Sequence, residues 1–470
     1  MEAQMTKGST VLLAEFCACL DRQDQPPEVR QRVRQLLLDY LGVALRGSRS
    51  PSGRIATKVA LELGGPGPST VLGTSQCTRP EWAALANGTS GHSIELDDVT
   101  QESSTHPGVA VIPAVLALAE ARPDLADGWQ AGMLAGYEVH MRLGEAFDAG
   151  EQYRAGFHTT GTCGAFGAAV ATAVMRGLGP EGVSAAMGVV GGMASGSMEY
   201  LTHGTWTKRL NPGWAAHSGL VASALAAAGY QAPLTAIEGP FGFLHAYGRS
   251  PRPEAVTANL GSGLKLMETS VKLHACCRYM HASIDCALDL RSQLDGRLEQ
   301  IQSIRAGVLS AGYEVVGAPI EAKRRPRNVV DAQFSIPFGI AVALVLGTTR
   351  LDAFTDEMLA DPRVRALMGR IDTYTSEWID EPYPREWRGD LEVTLRDGTM
   401  LKAQIGQPRG TADDPGAAAE VETKFREMVA PLFSDSSATA LIAAVDHGDG
   451  SGILEVCRMA RQPELVEMGR

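Results

Sequence analysis

The densest group of ionisable side chains lies between Asn87 and His106, where His92, Glu95, Asp97 and Asp98 fall within seven positions and His106 precedes Pro107-Gly108. Carboxylates stabilise a helix start, not its end, so acids trailing an apolar helical stretch point to a chemical constraint more than to capping. A polar loop with an ordinary N-cap network is the competing interpretation. On a continuous helix His92 and Glu95 would share a face. His106 sits at a loop-to-helix junction, where an imidazole is both rigid and accessible, and its titration range suits proton transfer near neutrality. It is the leading candidate for general acid or base, with Asp97 or Glu95 as its partner.

Three further stretches supply cations and donors. His158 precedes Thr159-Thr160-Gly161-Thr162, a helix start whose amides and hydroxyls form either an anion site or a simple cap. Lys208 lies in a polar loop before a small-residue helix. Lys272, His274, Arg278 and His281 place four possible cations in ten residues, interleaved with Cys276, Cys277 and Tyr279. Convergent Lys, Arg and His groups are what a substrate with two or three carboxylates requires; a solvated basic strip is the alternative.

The elements that must position these groups follow from hydrophobic spacing. Val29, Val33, Leu36, Leu37, Tyr40, Leu41 and Ala44 recur at helical steps between Pro27 and Gly47. Further helices are predicted near 80–96, 109–122, 127–147, 160–178, 181–198 and 213–229. Runs of Gly and Ala let their backbones approach closely, and none reaches 18 strongly apolar residues in a row, so buried core helices and not membrane spans are expected. After about Lys265 the pattern alternates, at Ile304-Ala306-Val308 and at Leu391-Val393-Leu395, the latter entering Asp397-Gly398, a hairpin turn signal. A polar stretch at 406–416 leads to a final helical region from about 417.

Composition sets the outer bounds. At 470 residues with 44% hydrophobic and 20% charged side chains, the chain is an ordinary globular protein of more than one core. A net charge of -12 argues against a nucleic-acid partner. Eight cysteines show neither a CxxC pair nor zinc-finger spacing, so no metal or iron-sulfur cluster is expected and the thiols should be free. The first residues, Met-Glu-Ala-Gln-Met-Thr-Lys, lack a basic stretch followed by an apolar core, giving an expectation of cytoplasmic location.

Taken in order, Asn87 through Asp98, the His106-Pro-Gly turn, His158, the Thr-Lys208 loop, Lys272 to His281, and Asp331 to Phe338 resemble the MmgE/PrpD family over nearly the whole chain. The resemblance implies a mainly α protein, with a large all-α domain from 1–265 plus 405–470 and a smaller α/β lid over 266–404, usually as a homodimer. It implies catalysis without metal or organic cofactor. It also implies site positions at Glu95, Val99, His106, His158, Lys208, Lys272 and Tyr313. Glu95 stands where the family's cis-aconitate decarboxylases have Asp, Val99 where they have Thr, and the stretch from Glu95 to His106 is one residue longer.

The expected activity is that of a hydro-lyase on a small di- or tricarboxylate, similar to 2-methylcitrate dehydratases. Lys208, Lys272, Arg278, His281 and Tyr313 would bind substrate, and His106, Asp97, Glu95 and His158 would handle protons. Decarboxylation and epimerisation use the same apparatus and are the alternatives within the family; a catalytically silent binding scaffold is the alternative outside it.

Overall fold

Residues 7–20 and 25–461 are described by the structure, a computed structural model; the first six residues, which bore on the expected cytoplasmic location, lie outside them. The chain is mainly helical. Pro27–Gly47, Pro80–Gly91, Gly108–Ala121, Trp129–Glu145, Thr159–Met175 and Thr207–Ala227 share one apolar core, which the C-terminal helices Ala417–Val429, Asp435–His447 and Gly450–Ala460 complete. Ser9–Ala18 and Pro180–Val190 enclose an adjoining core on the far side of Thr159–Met175. No single helix among the described residues is long and apolar enough to cross a membrane.

The third core is built on a four-stranded sheet in the order Ile371–Tyr374, Ile301–Gly307, Gly389–Leu395, Met400–Ile405, parallel at the first pair and antiparallel at the others. Ile304 and Ala306, and Leu391, Val393 and Leu395, alternate inward as their spacing predicts, and with Ile301, set off by a register shift, pack against His281–Leu294 and Ile336–Leu346. The second of these helices begins at a Ser335 hydroxyl cap with Pro337 in its first turn.

Three element boundaries differ from expectation, each beside the candidate residues. The helix predicted to run to 96 stops at Gly91. His92 to Asp98 then form an irregular turn in which Glu95 takes φ 56, so His92 and Glu95 do not share a helical face. The helix predicted at 181–198 ends at Val190, after which the chain returns to bridge Ser197 to Phe157. The helix predicted from 213 begins at Thr207, placing Lys208 in its first turn and not in a loop. Pro212 reads as a break, yet its missing N-H deprives only the Lys208 carbonyl of an intrahelical partner.

Candidate functional site

A narrow cavity lies where the helical cores meet the sheet-based one. Glu95, Val99, Ser104 and His106 line it from the turn after Pro80–Gly91, and His158, Thr160, Met198, Tyr200 and Lys208 from the helical side. Lys272, Cys277, Arg278, Tyr279, Phe334 and Trp387 close it from the other. A two-residue antiparallel ladder, Val99 to Ser270 and Thr100 to Thr269, joins the two walls and sets Lys272 opposite Glu95 and Asp97. Gln333 Nε2 adds a second tie, donating to the carbonyls of Ala275 at 3.0 Å and Ile94 at 3.4 Å.

His106 is held by its Nδ1, 2.6 Å from the Asp98 carbonyl and 3.2 Å from Asp97 Oδ2. Both neighbours accept, so Nδ1 carries the proton and a neutral ring keeps its lone pair on Nε2. Burial holds His106 below its ordinary range, partly opposed by Asp97. His158 has the opposite arrangement. Its Nδ1 accepts from Asn211 Nδ2 at 3.0 Å, an amide that also faces the Ser197 carbonyl, which leaves the proton on Nε2. Burial keeps His158 neutral, helped by repulsion from His92 and Lys208.

His92 stands between them, with ring centroids 5.1 Å from His106 and 5.6 Å from His158. Its Nδ1 lies 2.8 Å from Asp97 Oδ2, and burial pushes its pKa to about 4 against the pull of Asp97. Burial alone would raise Asp97, but the surrounding histidines and Lys272 hold it ionised. Next to it, Asp98 accepts from Tyr137 Oη at 2.6 Å and from Gly108 N at 3.0 Å, and burial raises it to about 7 despite Tyr137. The two adjacent acids are thus set apart, one as a buried anion against histidines and one as a support beneath the helix start.

Glu95 bridges the two lysines. Its Oε1 meets Lys208 Nζ, and its Oε2 lies 3.3 Å from Lys272 Nζ. Burial would raise this carboxyl, but the lysines outweigh it and keep it ionised. Lys272 is held above its ordinary value, since Asp97 and Glu95 overcome its burial. Among the described residues Arg278 has no carboxylate within ion-pair distance: its Nη1 reaches the Arg409 carbonyl and His281 Nδ1, both at 3.1 Å, while its Nε and Nη2 meet no hydrogen-bond partner among those residues.

His281 therefore stands behind Arg278 and orients it, and does not line the cavity. Tyr313 does not line it either; its hydroxyl lies 3.5 Å from the Thr373 carbonyl. Tyr153, Tyr200 and Tyr279 do line the cavity, and the hydroxyls of Tyr153 and Tyr279 hold Ser104 Oγ at 2.9 and 3.2 Å. Ser104 takes φ 53, so both non-glycine residues of left-handed backbone in this turn region, Glu95 and Ser104, face the cavity, as strained residues at functional sites do.

A further layer escaped the sequence reading. Lys424 pairs with Asp39 at 2.7 Å inside the core and donates to the Leu96 carbonyl, while Arg32 donates to the Thr269 carbonyl. Asp39 and Arg32 interrupt the apolar stripe of Pro27–Gly47, which is the signal that could have marked them as buttresses. Among the described residues, the acidic group close enough to share a cation is Glu102, Glu145 and Glu268, away from the cavity, and Lys265 already bridges the last two at 3.0 and 2.9 Å. All eight cysteines are unpaired.

Comparison with known proteins finds relatives along nearly the whole chain. The model of the MmgE/PrpD N-terminal domain matches residues 11–255, and that of the C-terminal domain matches residues 274–448. A cis-aconitate decarboxylase of Aspergillus terreus is 26% identical over 454 residues, 93% of this chain and 92% of its own length. A cis-aconitate decarboxylase-like protein of Aspergillus oryzae is 28% identical over 444 residues, 90% and 91% respectively. A 2-methylcitrate dehydratase of Cupriavidus necator is 33% identical over 126 residues, 25% of each chain. With both of its domain models matched in order along one chain, the protein belongs to the MmgE/PrpD family.

Proposed function

We propose that the protein is a lyase that exchanges a proton at the carbon next to a carboxylate and removes water from a small di- or tricarboxylate, without metal or organic cofactor. The observation that carries this is the Nδ1 of His106, fixed between two acceptors so that the unpartnered Nε2 serves as the base. Nε2 takes the proton from the α-carbon, and the released electron pair forms the double bond as the neighbouring C-O bond breaks. The imidazolium, stabilised by Asp97, then returns that proton to the departing hydroxyl, and water leaves. Lys208, Lys272 and Arg278 hold the carboxylates and stabilise enolate charge as it develops. His158 stays neutral and donates its Nε2-H to the substrate.

Decarboxylation is the second reading, because the relatives that match over nine-tenths of the chain are named cis-aconitate decarboxylases, whereas the dehydratases match over shorter stretches. Proton NMR of the purified protein in deuterium oxide with a panel of small di- and tricarboxylates separates the two. Dehydration gives new vinyl signals without carbon dioxide, and decarboxylation releases carbon dioxide with deuterium at the new C-H. Loss of ~10²- to 10⁴-fold in rate is expected for His106→Ala. An unchanged rate in that variant would remove His106 from the reaction.

A further inference from the structure

A second cavity, of about 620 Å³, borders the turn that carries Glu95, a volume in the range of small-molecule sites. One wall is Ile94, Trp206 and Arg209 of the helical part, and the other is Val329, Val330 and Phe354 of the sheet-bearing part. It is separate from the cavity described above, although the two share chain neighbours. Glu95 and Lys208 line the first, whereas Ile94 and Arg209, next to them in sequence, line the second.

Arg209 is the basic group of this second cavity, and it is only 7% exposed. Its Nη1 donates to Ser52 Oγ at 3.1 Å, and the guanidinium makes no other hydrogen bond or ion pair among the described residues. Asp356, exposed at the start of Asp356–Ala360, also lines the cavity but lies beyond ion-pair distance of Arg209. Glu95 acts on Arg209 through space, yet it is already gripped by Lys208 and Lys272, and burial draws Arg209 below its ordinary value. A buried guanidinium without an adjoining anion is unfavourable. Part of its role is local: Ser52 Oγ lies 2.9 Å from Ser93 Oγ, so Nη1 braces the turn. That bracing uses one end of the group. The edge formed by Nε and Nη2 is left over, and it matches the two oxygens of a carboxylate. We propose that this cavity is a second binding site, for a carboxylate carried on an apolar chain or ring, with its head on Arg209 and its body between Trp206, Val330 and Phe354. The site stands whichever reaction the first cavity carries out.

Titration calorimetry of the full-length protein with octanoate, and with octanamide as the uncharged control, tests the site through binding alone. Octanoate is expected to bind at millimolar concentration or below, and octanamide about tenfold more weakly or worse, because it forfeits the charge-assisted bonds. Arg209→Gln should weaken octanoate by about tenfold or more, and so should Val329→Glu, which sets a like charge on the apolar wall. Arg278→Gln, in the other cavity, should leave octanoate binding within about twofold. No binding by the wild type, the result expected if a second copy of the chain fills the cavity, would overturn the proposal. Equal binding of the amide, undiminished binding by a folded Arg209→Gln or Val329→Glu protein, or an equal loss in Arg278→Gln would overturn it too. Should Arg209→Gln fail to fold, Val329→Glu, at a half-buried position, and the amide comparison decide.

Discussion

A single hydrogen-bond choice at His106 sets the chemistry available to this site. The ring is neutral at pH 7 because burial depresses its pKa below the ordinary imidazole value of ~6.5. A base acts only when unprotonated, so kcat/KM should be flat around neutrality and fall as pH drops through the depressed pKa, with the acid limb below pH 6.5. Asp97 pulls that pKa upward. Asp97→Asn should therefore move the limb to lower pH while slowing the plateau by ~10- to 100-fold, since the imidazolium loses its counter-charge. A pH-rate profile of the two proteins checks both; a limb that moves upward would contradict the assignment. At this scale the sequence was informative about residue types: His106, Asp97, Glu95, His158, Lys208, Lys272 and Arg278 stood out as unusual groups in unusual places. Asp97 and not Asp98 was expected beside His106, but the different neighbours of the two, His92 and His106 for one and Tyr137 and Gly108 for the other, follow only from the irregular turn. Tyr313 and His281 illustrate the same limit, the first turned towards Thr373 and the second serving Arg278 from behind.

The elements owe their close approach to glycine. A Cβ on Gly213 would come 2.3 Å from the Leu85 carbonyl, and one on Gly88 would come 2.8 Å from Gly213 Cα, so Pro80–Gly91 and Thr207–Ala227 touch backbone to backbone. That contact holds Lys208, one and a half turns earlier on the second helix, against Glu95, within the turn that follows the first. Gly213→Ala should cost ~1–3 kcal/mol by overpacking, seen as a lowered thermal midpoint. Gly192→Ala, where the nearest neighbour of a Cβ is 3.8 Å away, should leave it nearly unchanged. Similar loss in both variants would refute the packing explanation. The small-residue runs were visible in the sequence, and so were the helices and the Asp397-Gly398 hairpin. Helix ends were not, because Gly91 and Pro212 are compatible with both continuation and termination, and the tertiary neighbours decide.

At the scale of the whole molecule, two exposed apolar rows lie side by side. Ile55, Val59 and Leu63 fall four residues apart on Pro51–Gly64, as do Trp206, Leu210 and Trp214 at the start of Thr207–Ala227, each between 40% and 61% exposed. Trp82 and His217 connect the two rows through ring contacts at 5.1 and 5.0 Å. A contiguous apolar surface of this kind marks an interaction site, and a second copy of the chain is the expected occupant. Light scattering should report a homodimer, and Val59→Glu with Trp214→Glu should yield a monomer; a monomeric wild type at micromolar concentration would dismiss it. By itself the sequence determined the helix-rich class, the position of the sheet-bearing segment and the residue types of the site, because hydrophobic period, turn chemistry and charge are local properties. Only the tertiary structure decided that Glu95 bridges two lysines and that His106 and His158 carry opposite tautomers. The contacts responsible join residues as much as 177 positions apart, and nothing local encodes which acceptor a buried donor will meet.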